Sequence, residues 1–339
     1  MTRTIEEIKL TSGKTIIIDT LHNTLEIVAP GNINYAVNLT YNKNDVIRIN
    51  KKSISTCNVE MLKYVLRHDI VAAMKVVTFI TGIGNTTGYK LSKSAFYAMF
   101  NDDLNALVLF FNAASHETRR IIIFDHCCTN HNAKMSGMIS YSTYVKMNIY
   151  CIARRKRGCS VCAHCFAARQ TKTYKEQALK LARAHVITTM CEWSIDDIPV
   201  NMIVSGGYKY FRLESFGDIN NTTQVNNYNV LAIALKAVNI RVTLWTKNPG
   251  IIQKAINNGM VLSDNLTTGL SSLKLNTPEI ERAKKYSFIK FVFTVFDHEY
   301  VKTHNININC GGRHCLSCLN CYLTAATAND LVIINELLK

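Results

Sequence analysis

The sequence predicts an α/β protein with a partial or complete (β/α) barrel-like core behind a small strand-rich N-terminal module. Three observations lead there. From about residue 145 short apolar strands alternate with helical stretches, the signature of βαβ units on a parallel sheet. Residues 1–52 instead alternate short β-branched runs with Gly, Asn and Asp turns. A chain of 339 residues has room for about two domains at roughly 150 residues each. The division is expected near residue 115, between an accessory strand and helix region (1–115) and a cysteine-rich βα core (116–339) that ends in a metal-binding loop.

Residues 15–18, 24–28, 35–39 and 46–49 read as strands of the N-terminal module. Residues 59–77 carry apolar side chains at mixed spacings of three and four and read as a helix, as do residues 92–114. The run RIIIF at 120–124 reads as a buried strand. It leads into Asp125, His126, Cys127, Cys128 and His131, which lack a C-x2-C or i, i+4 histidine pair and read first as a structural turn. Further on, strands are expected at 147–152, 202–205, 210–214, 241–245, 272–275 and 288–296. Helices are expected at 173–190, 223–238 and 251–257. The repeat count suits a complete or a partial barrel, and an open sheet gives the same pattern.

Composition narrows the classes of function. Lys and Arg number 39 against 24 Asp and Glu, a formal charge of +15. Such a balance attracts polyanions, so nucleic acid or a nucleotide is a candidate partner. The densest basic run, Arg154, Arg155, Lys156 and Arg157, lies directly before a group of cysteines and favours an anionic substrate or cofactor nearby. The first residues carry no apolar leader, and the apolar runs at 71–80 and 106–111 are too short to span a bilayer. A cytoplasmic protein with no membrane partner is expected. Twelve cysteines in a reducing compartment read as metal-binding or redox-active before they read as disulfides.

Seven of them fall in two windows. Cys159, Cys162 and Cys165 form C-x2-C-x2-C, with Cys151 upstream as a possible fourth ligand. Cys310, Cys315, Cys318 and Cys321 form C-x4-C-x2-C-x2-C, with Gly311 and Gly312 giving the backbone room to fold around an ion. Cysteines two residues apart are poorly placed to pair with each other, but their thiolates can converge on one metal centre. The three-cysteine loop favours an iron–sulfur cluster over zinc and leaves a coordination position open. The four-cysteine loop can close a site fully, as in structural or electron-carrying centres. Cys57, Cys127, Cys128 and Cys191 read as ordinary buried thiols.

In α/β folds working residues gather at the carboxyl ends of the strands, which brings the Cys159 loop, Asp218 and Lys247 to one face. In FRLESFGD, strand alternation puts Arg212 and Glu214 on one side, and Gly217 allows a close approach before the Asp218 carboxylate. Arg212, Glu214 and Asp218 are therefore the candidate catalytic residues. Gly206 and Gly207 form a turn without a phosphate-loop lysine.

The order Asn132-x-Lys134, Gly137, Cys151, Cys165-Phe166-Ala167, Phe211-Arg212, Gly217-Asp218 and the terminal four-cysteine window followed by Tyr322 resembles the phage "gene product 88" family over residues 120–325. Phe166 stands where that family usually has Tyr, and Phe216 where it has a small residue. More distantly the layout is similar to radical S-adenosylmethionine enzymes, with a three-cysteine loop in a partial barrel and an auxiliary cluster near the C-terminus. That resemblance implies one or two 4Fe-4S clusters and S-adenosylmethionine as cofactors. Cys159, Cys162 and Cys165 would hold the reactive cluster, Gly206, Gly207, Gly217 and Lys247 would lie at the cofactor, and Arg212, Glu214 and Asp218 would line the pocket. The usual loop there is C-x3-C-x2-C with an aromatic residue before the last cysteine; here the first gap is one residue shorter and His164 takes the aromatic position. A phage origin implies the host cytoplasm.

Two further readings stay open. One is a zinc-stabilised nucleic-acid-binding protein, in which metals fold loops and basic residues grip phosphate. The other is a zinc-containing barrel-type base-exchange enzyme with Asp218 as nucleophile.

Overall fold

The computed structural model describes residues 5–9, 15–19, 24–28, 104–130, 133–157, 160–310 and 314–338. Expected strands at 35–39 and 46–49, the helix at 59–77 and the first part of the helix at 92–114 lie outside them, as do Cys57, His131, Asn132, Cys159, Gly311 and Gly312. The chain divides into two compact units, Met1–Thr118 and Arg119–Lys339. The first contains an antiparallel meander of β1 (Ile5–Lys9), β2 (Thr15–Asp19) and β3 (Thr24–Val28). Helix α1 (Leu104–Ala113) belongs to the same unit.

The second unit is built on one seven-stranded sheet: β4 (Cys128–Asn130), β5 (Ile139–Tyr141), β6 (Tyr210–Leu213), β7 (Arg241–Thr246), β8 (Leu266–Ser271), β9 (Ile289–Phe296) and β10 (Val332–Leu337). The strands stand side by side in chain order. Strands β5 to β10 run parallel, and β4 pairs antiparallel with β5. With β4 and β10 as its edges the sheet is not closed, so the expectation of a complete barrel is corrected to an open, mostly parallel sheet.

Several local expectations change state. Residues 120–124 are helical: α2 (His116–Ile121) runs into a π-helical turn, Ile122–Cys127, that buries Ile122 and Ile123. A short apolar run without alternation does not by itself separate a strand from a buried helix. The expected strand at 147–152 is α3 (Ile149–Lys156). The Asn148 side chain caps it by accepting the Cys151 N–H at 3.1 Å, and Arg154, Arg155 and Lys156 occupy its last turn, where the helix dipole favours cations.

The helix expected at 173–190 breaks at Tyr174 into α4 (Phe166–Thr173) and α5 (Lys175–Met190). The expected strand at 202–205 is α6 (Val200–Ser205), started after Pro199 and ended by Gly206 and by Gly207 at φ +73°. Helices α7 (Thr222–Lys236), α8 (Pro249–Asn257) and α9 (His298–His304) fill the later crossovers. Among the described residues no helix is long and apolar enough to cross a membrane.

The two sheet faces are covered differently. Trp245, Phe291 and Ile334, with Met138, receive Tyr322 and Ala325 from the C-terminal cysteine segment. On β7 the Thr243 hydroxyl donates to the Cys321 carbonyl at 3.3 Å, so Thr243 and Trp245 look toward that segment and Val242 and Leu244 look away. Helices α5 and α7 pack on that other side: the Tyr141 hydroxyl donates to Ala184 at 2.8 Å, its ring meets Tyr228 edge-on, and Asn265 donates to the carbonyls of Ala232 and Ile240.

Strand β8 was expected at 272–275 and lies six residues earlier because Gly269 weakens its sequence signal. The glycine is required by packing. A Cβ there would come within 2.0 Å of the Phe291 ring on the neighbouring strand. Gly269→Ala is therefore expected to cost about 1–3 kcal/mol by overpacking. Urea unfolding measures this, and an unchanged midpoint would refute the packing account.

Candidate functional site

At the carboxyl end of the sheet, β5, β6 and β7 are joined by two buried carboxylates. Just past β6, Glu214 adopts left-handed backbone geometry (φ +57°), and its N–H donates to the Tyr141 carbonyl at 2.9 Å. Its carboxyl accepts the Thr143 N–H at 3.1 Å, the Thr143 hydroxyl at 2.9 Å, Gln224 Nε2 at 2.6 Å and the Tyr228 hydroxyl. Burial pushes Glu214 up to about 8, with the hydrogen bonds from Tyr228 and Thr143 pulling the other way. At neutral pH burial favours the neutral acid, whose own O–H then goes to one of the two neighbouring hydroxyls, Thr143 or Tyr228.

Gly217 follows at φ +84°, where a Cβ would meet the Thr143 carbonyl and hydroxyl at 2.6 Å and Glu214 Oε2 at 2.7 Å. The close approach that its sequence position implies is thus made to the protein's own Thr143. Asp218 then accepts the Thr246 hydroxyl at 2.6 Å and the N–H groups of Ile219 at 2.8 Å and Lys247 at 2.9 Å. Burial raises its carboxyl above the usual range, and the Lys247 ammonium, Thr246 and the backbone donors oppose that rise. Lys247 Nζ reaches Ser271 Oγ at 2.8 Å, extending the network to the end of β8.

The first cysteine window lies on this platform. Asn148 Nδ2 donates to the Asp218 carbonyl at 2.6 Å while Asn148 Oδ1 caps α3, so one side chain fixes both pieces. The Tyr150 hydroxyl donates to the Lys247 carbonyl at 2.6 Å, and the Val161 N–H to the Leu273 carbonyl at 3.4 Å. Cys151 and Cys165 pack with Phe216 around Val145, Ala167 and Ala168, and Cys162 is buried. Burial, then Asp218, raises the Cys151 thiol, with Lys247 opposing. Cys159 lies outside the described residues. Phe166 and Phe216 stack on each other with ring centroids 5.7 Å apart.

The second window lies on the sheet face. Cys310, Cys315, Cys318 and Cys321 line one pocket with Lys134, Leu319, Asn320 and Tyr322. Lys134 Nζ is 3.3 Å from Cys310 Sγ and 2.6 Å from Glu336. Lys134 and the terminal cysteines, far apart in sequence, therefore meet here. Burial raises the thiols of Cys310, Cys315 and Cys321, which keeps them protonated until a metal displaces the protons. Among the described residues no three His, Cys, Asp or Glu side chains already form a metal cage. The chemistry of the donor set nonetheless suits a thiophilic metal in both windows.

Two sets of expected site residues are relocated. Arg212 does not join Glu214: its guanidinium lies 4.1 Å over the Trp245 ring, and Nη1 is 3.2 Å from Met135 Sδ, beside the second window. The left-handed turn at Glu214 ends strand alternation one residue before it was assumed to stop. Gly206 and Gly207 cap α6 and precede β6, at the opposite end of that strand from Asp218. They are helix terminators. Cys127, Cys128 and Cys191 are buried thiols, with burial pushing Cys127 to about 11.

The sequence reading missed Thr143, Asn148, Tyr150 and Thr246 at the first window, and Trp245 at the second. Thr246 was in principle legible as the last residue before Lys247, whereas Thr143 and Asn148 carry no motif. Compared with models of known families, with curated proteins and with solved structures, the chain matches none.

Because folding raises the Glu214 pKa from 4.5 to about 8, its contribution to stability is complete below pH 4.5 and is lost as pH rises through 8. Glu214→Gln removes the ionisation. Its stability relative to wild type should therefore climb between pH 5 and 8, by at most about 1.4 kcal/mol per pH unit. Urea unfolding at several pH values checks this, and parallel curves for the two proteins would exclude it.

Proposed function

We propose that this chain is an iron–sulfur protein of the radical S-adenosylmethionine type, acting on an anionic substrate such as a nucleotide or nucleic acid. The carrying observation is the meeting of Cys151 and Cys165 with Asp218 and Lys247 at the carboxyl ends of parallel strands laid out in chain order. That strand order is the order of a partial (β/α) barrel, and carboxyl strand ends are where such folds concentrate chemistry. In this reading Cys159, Cys162 and Cys165 would hold a 4Fe-4S cluster, and Cys310, Cys315, Cys318 and Cys321 a second one. Held by these three thiolates, such a cluster would supply one-electron chemistry to a bound cofactor.

The chain's own residues supply the rest. Asp218, by accepting the Lys247 N–H, fixes the loop after β7 against the loop after β6, and Asn148 seats the cysteine helix on both. Glu214 is a positioning residue in this scheme, with its oxygens engaged by Thr143, Gln224 and Tyr228. The Lys247 side chain and the exposed Arg155, Lys156 and Arg157 at the end of α3 place positive charge around the loop, which suits an anionic substrate. A cytoplasmic location goes with this chemistry.

Anaerobic purification tests the reading. It predicts a brown protein absorbing broadly near roughly 400 nm with about four irons per cluster. Cys162→Ala with Cys165→Ala should remove one cluster's iron, and Cys315→Ala with Cys318→Ala the other's. A colourless protein holding stoichiometric zinc would contradict it.

A further inference from the structure

Among the described residues, three buried donors beside the C-terminal cysteine pocket have no hydrogen-bond partner: Arg212 Nε, Trp245 Nε1 and the Tyr322 hydroxyl. They form one connected group. The Arg212 guanidinium lies on the Trp245 ring, and the Trp245 and Tyr322 ring centroids are 5.8 Å apart. Trp245 is 7% exposed and Tyr322 2%. An unpaired buried donor costs about 1–3 kcal/mol, so three together call for an acceptor.

Charge points the same way. Among the described residues Arg212 has no carboxylate partner, whereas Lys134 is matched by Glu336 at 2.6 Å. A partly buried guanidinium facing neutral thiols is uncompensated. Four thiolates around a core of charge +2 carry a net −2, and sulfur is an acceptor for N–H and O–H donors.

We infer that Arg212, Trp245 and Tyr322 are the donor shell of the cluster at Cys310, Cys315, Cys318 and Cys321, and that the Arg212 charge sets its reduction potential. The inference rests on the iron–sulfur reading of that window. One-electron reduction makes the site more negative, so a neighbouring cation favours the reduced state. Donors to the cluster sulfurs act in the same direction.

The test uses the full chain carrying Cys162→Ala and Cys165→Ala, so that only the C-terminal site can hold a cluster, in a redox titration followed by electron paramagnetic resonance with iron measured in parallel. Arg212→Gln should shift the balance at least tenfold toward the oxidised form, about 59 mV for one electron. Arg212→Lys should recover part of the shift, and Tyr322→Phe, which removes one hydroxyl and leaves the packing intact, should give a smaller shift of the same sign. Full iron with unchanged potentials in Arg212→Gln and Tyr322→Phe overturns the inference while the iron–sulfur reading stands. If Arg212→Gln fails to fold, the Tyr322→Phe potential decides alone. Absence of iron from the parent variant overturns the iron–sulfur reading of this window and the inference with it.

Discussion

The carboxyl end of the sheet depends on the way Asp218 is held. Its carboxylate ties the loop leaving β6 to the first residue after β7, and its carbonyl holds Asn148 and with it the start of the cysteine helix. Among the described residues no arginine neutralises it. Hydrogen bonds from Thr246, Ile219 and Lys247 satisfy it, with the Lys247 ammonium acting at longer range. Glu214 does the equivalent work between β5, β6 and α7, largely as a neutral acid. Two acids adjacent in space can both be buried because their environments differ: Asp218 has a nearby ammonium and two backbone N–H donors, whereas Glu214 has no cation partner among the described residues and relies mainly on hydroxyls and an amide.

This platform explains why the cysteine loop lies where it does although the segment before it is a helix. The expectation that the Cys159 loop follows a strand was wrong about residues 147–152, yet Cys151 and Cys165 still lie with Asp218. Asn148 and Tyr150 bind α3 directly to the loops after β6 and β7. The site is specified by hydrogen bonds from residues without a motif, which is why sequence spacing alone indicates the right end of the sheet by an incorrect route.

Legibility varied with how local the cause was. Strand β6 and helix α8 follow from periodicity because each has one buried face, whereas β7, buried on both faces, reads from its short run bounded by turns. Residues 120–124 and 202–205 are apolar and β-branched, so they look like strands. Their helical state comes from burial against neighbours and from caps at Pro199, Gly206 and Gly207. Strand β8 is hidden by Gly269, whose lack of a side chain makes room for Phe291 on the neighbouring strand. Arg212 and Lys134 are the instructive pair: far apart in sequence, both lie beside the C-terminal cysteines. The two windows are thus distinct sites, one across strand ends and one against a sheet face.

The central claim is that both windows hold iron and sulfur. X-ray absorption on anaerobically purified protein addresses it most directly. The account predicts an iron-edge signal with a sulfur-dominated first shell and short iron–iron scattering, retained in part when either window is removed. A zinc-edge signal from sulfur ligands with no iron, or a metal bound mainly by light atoms, would contradict it.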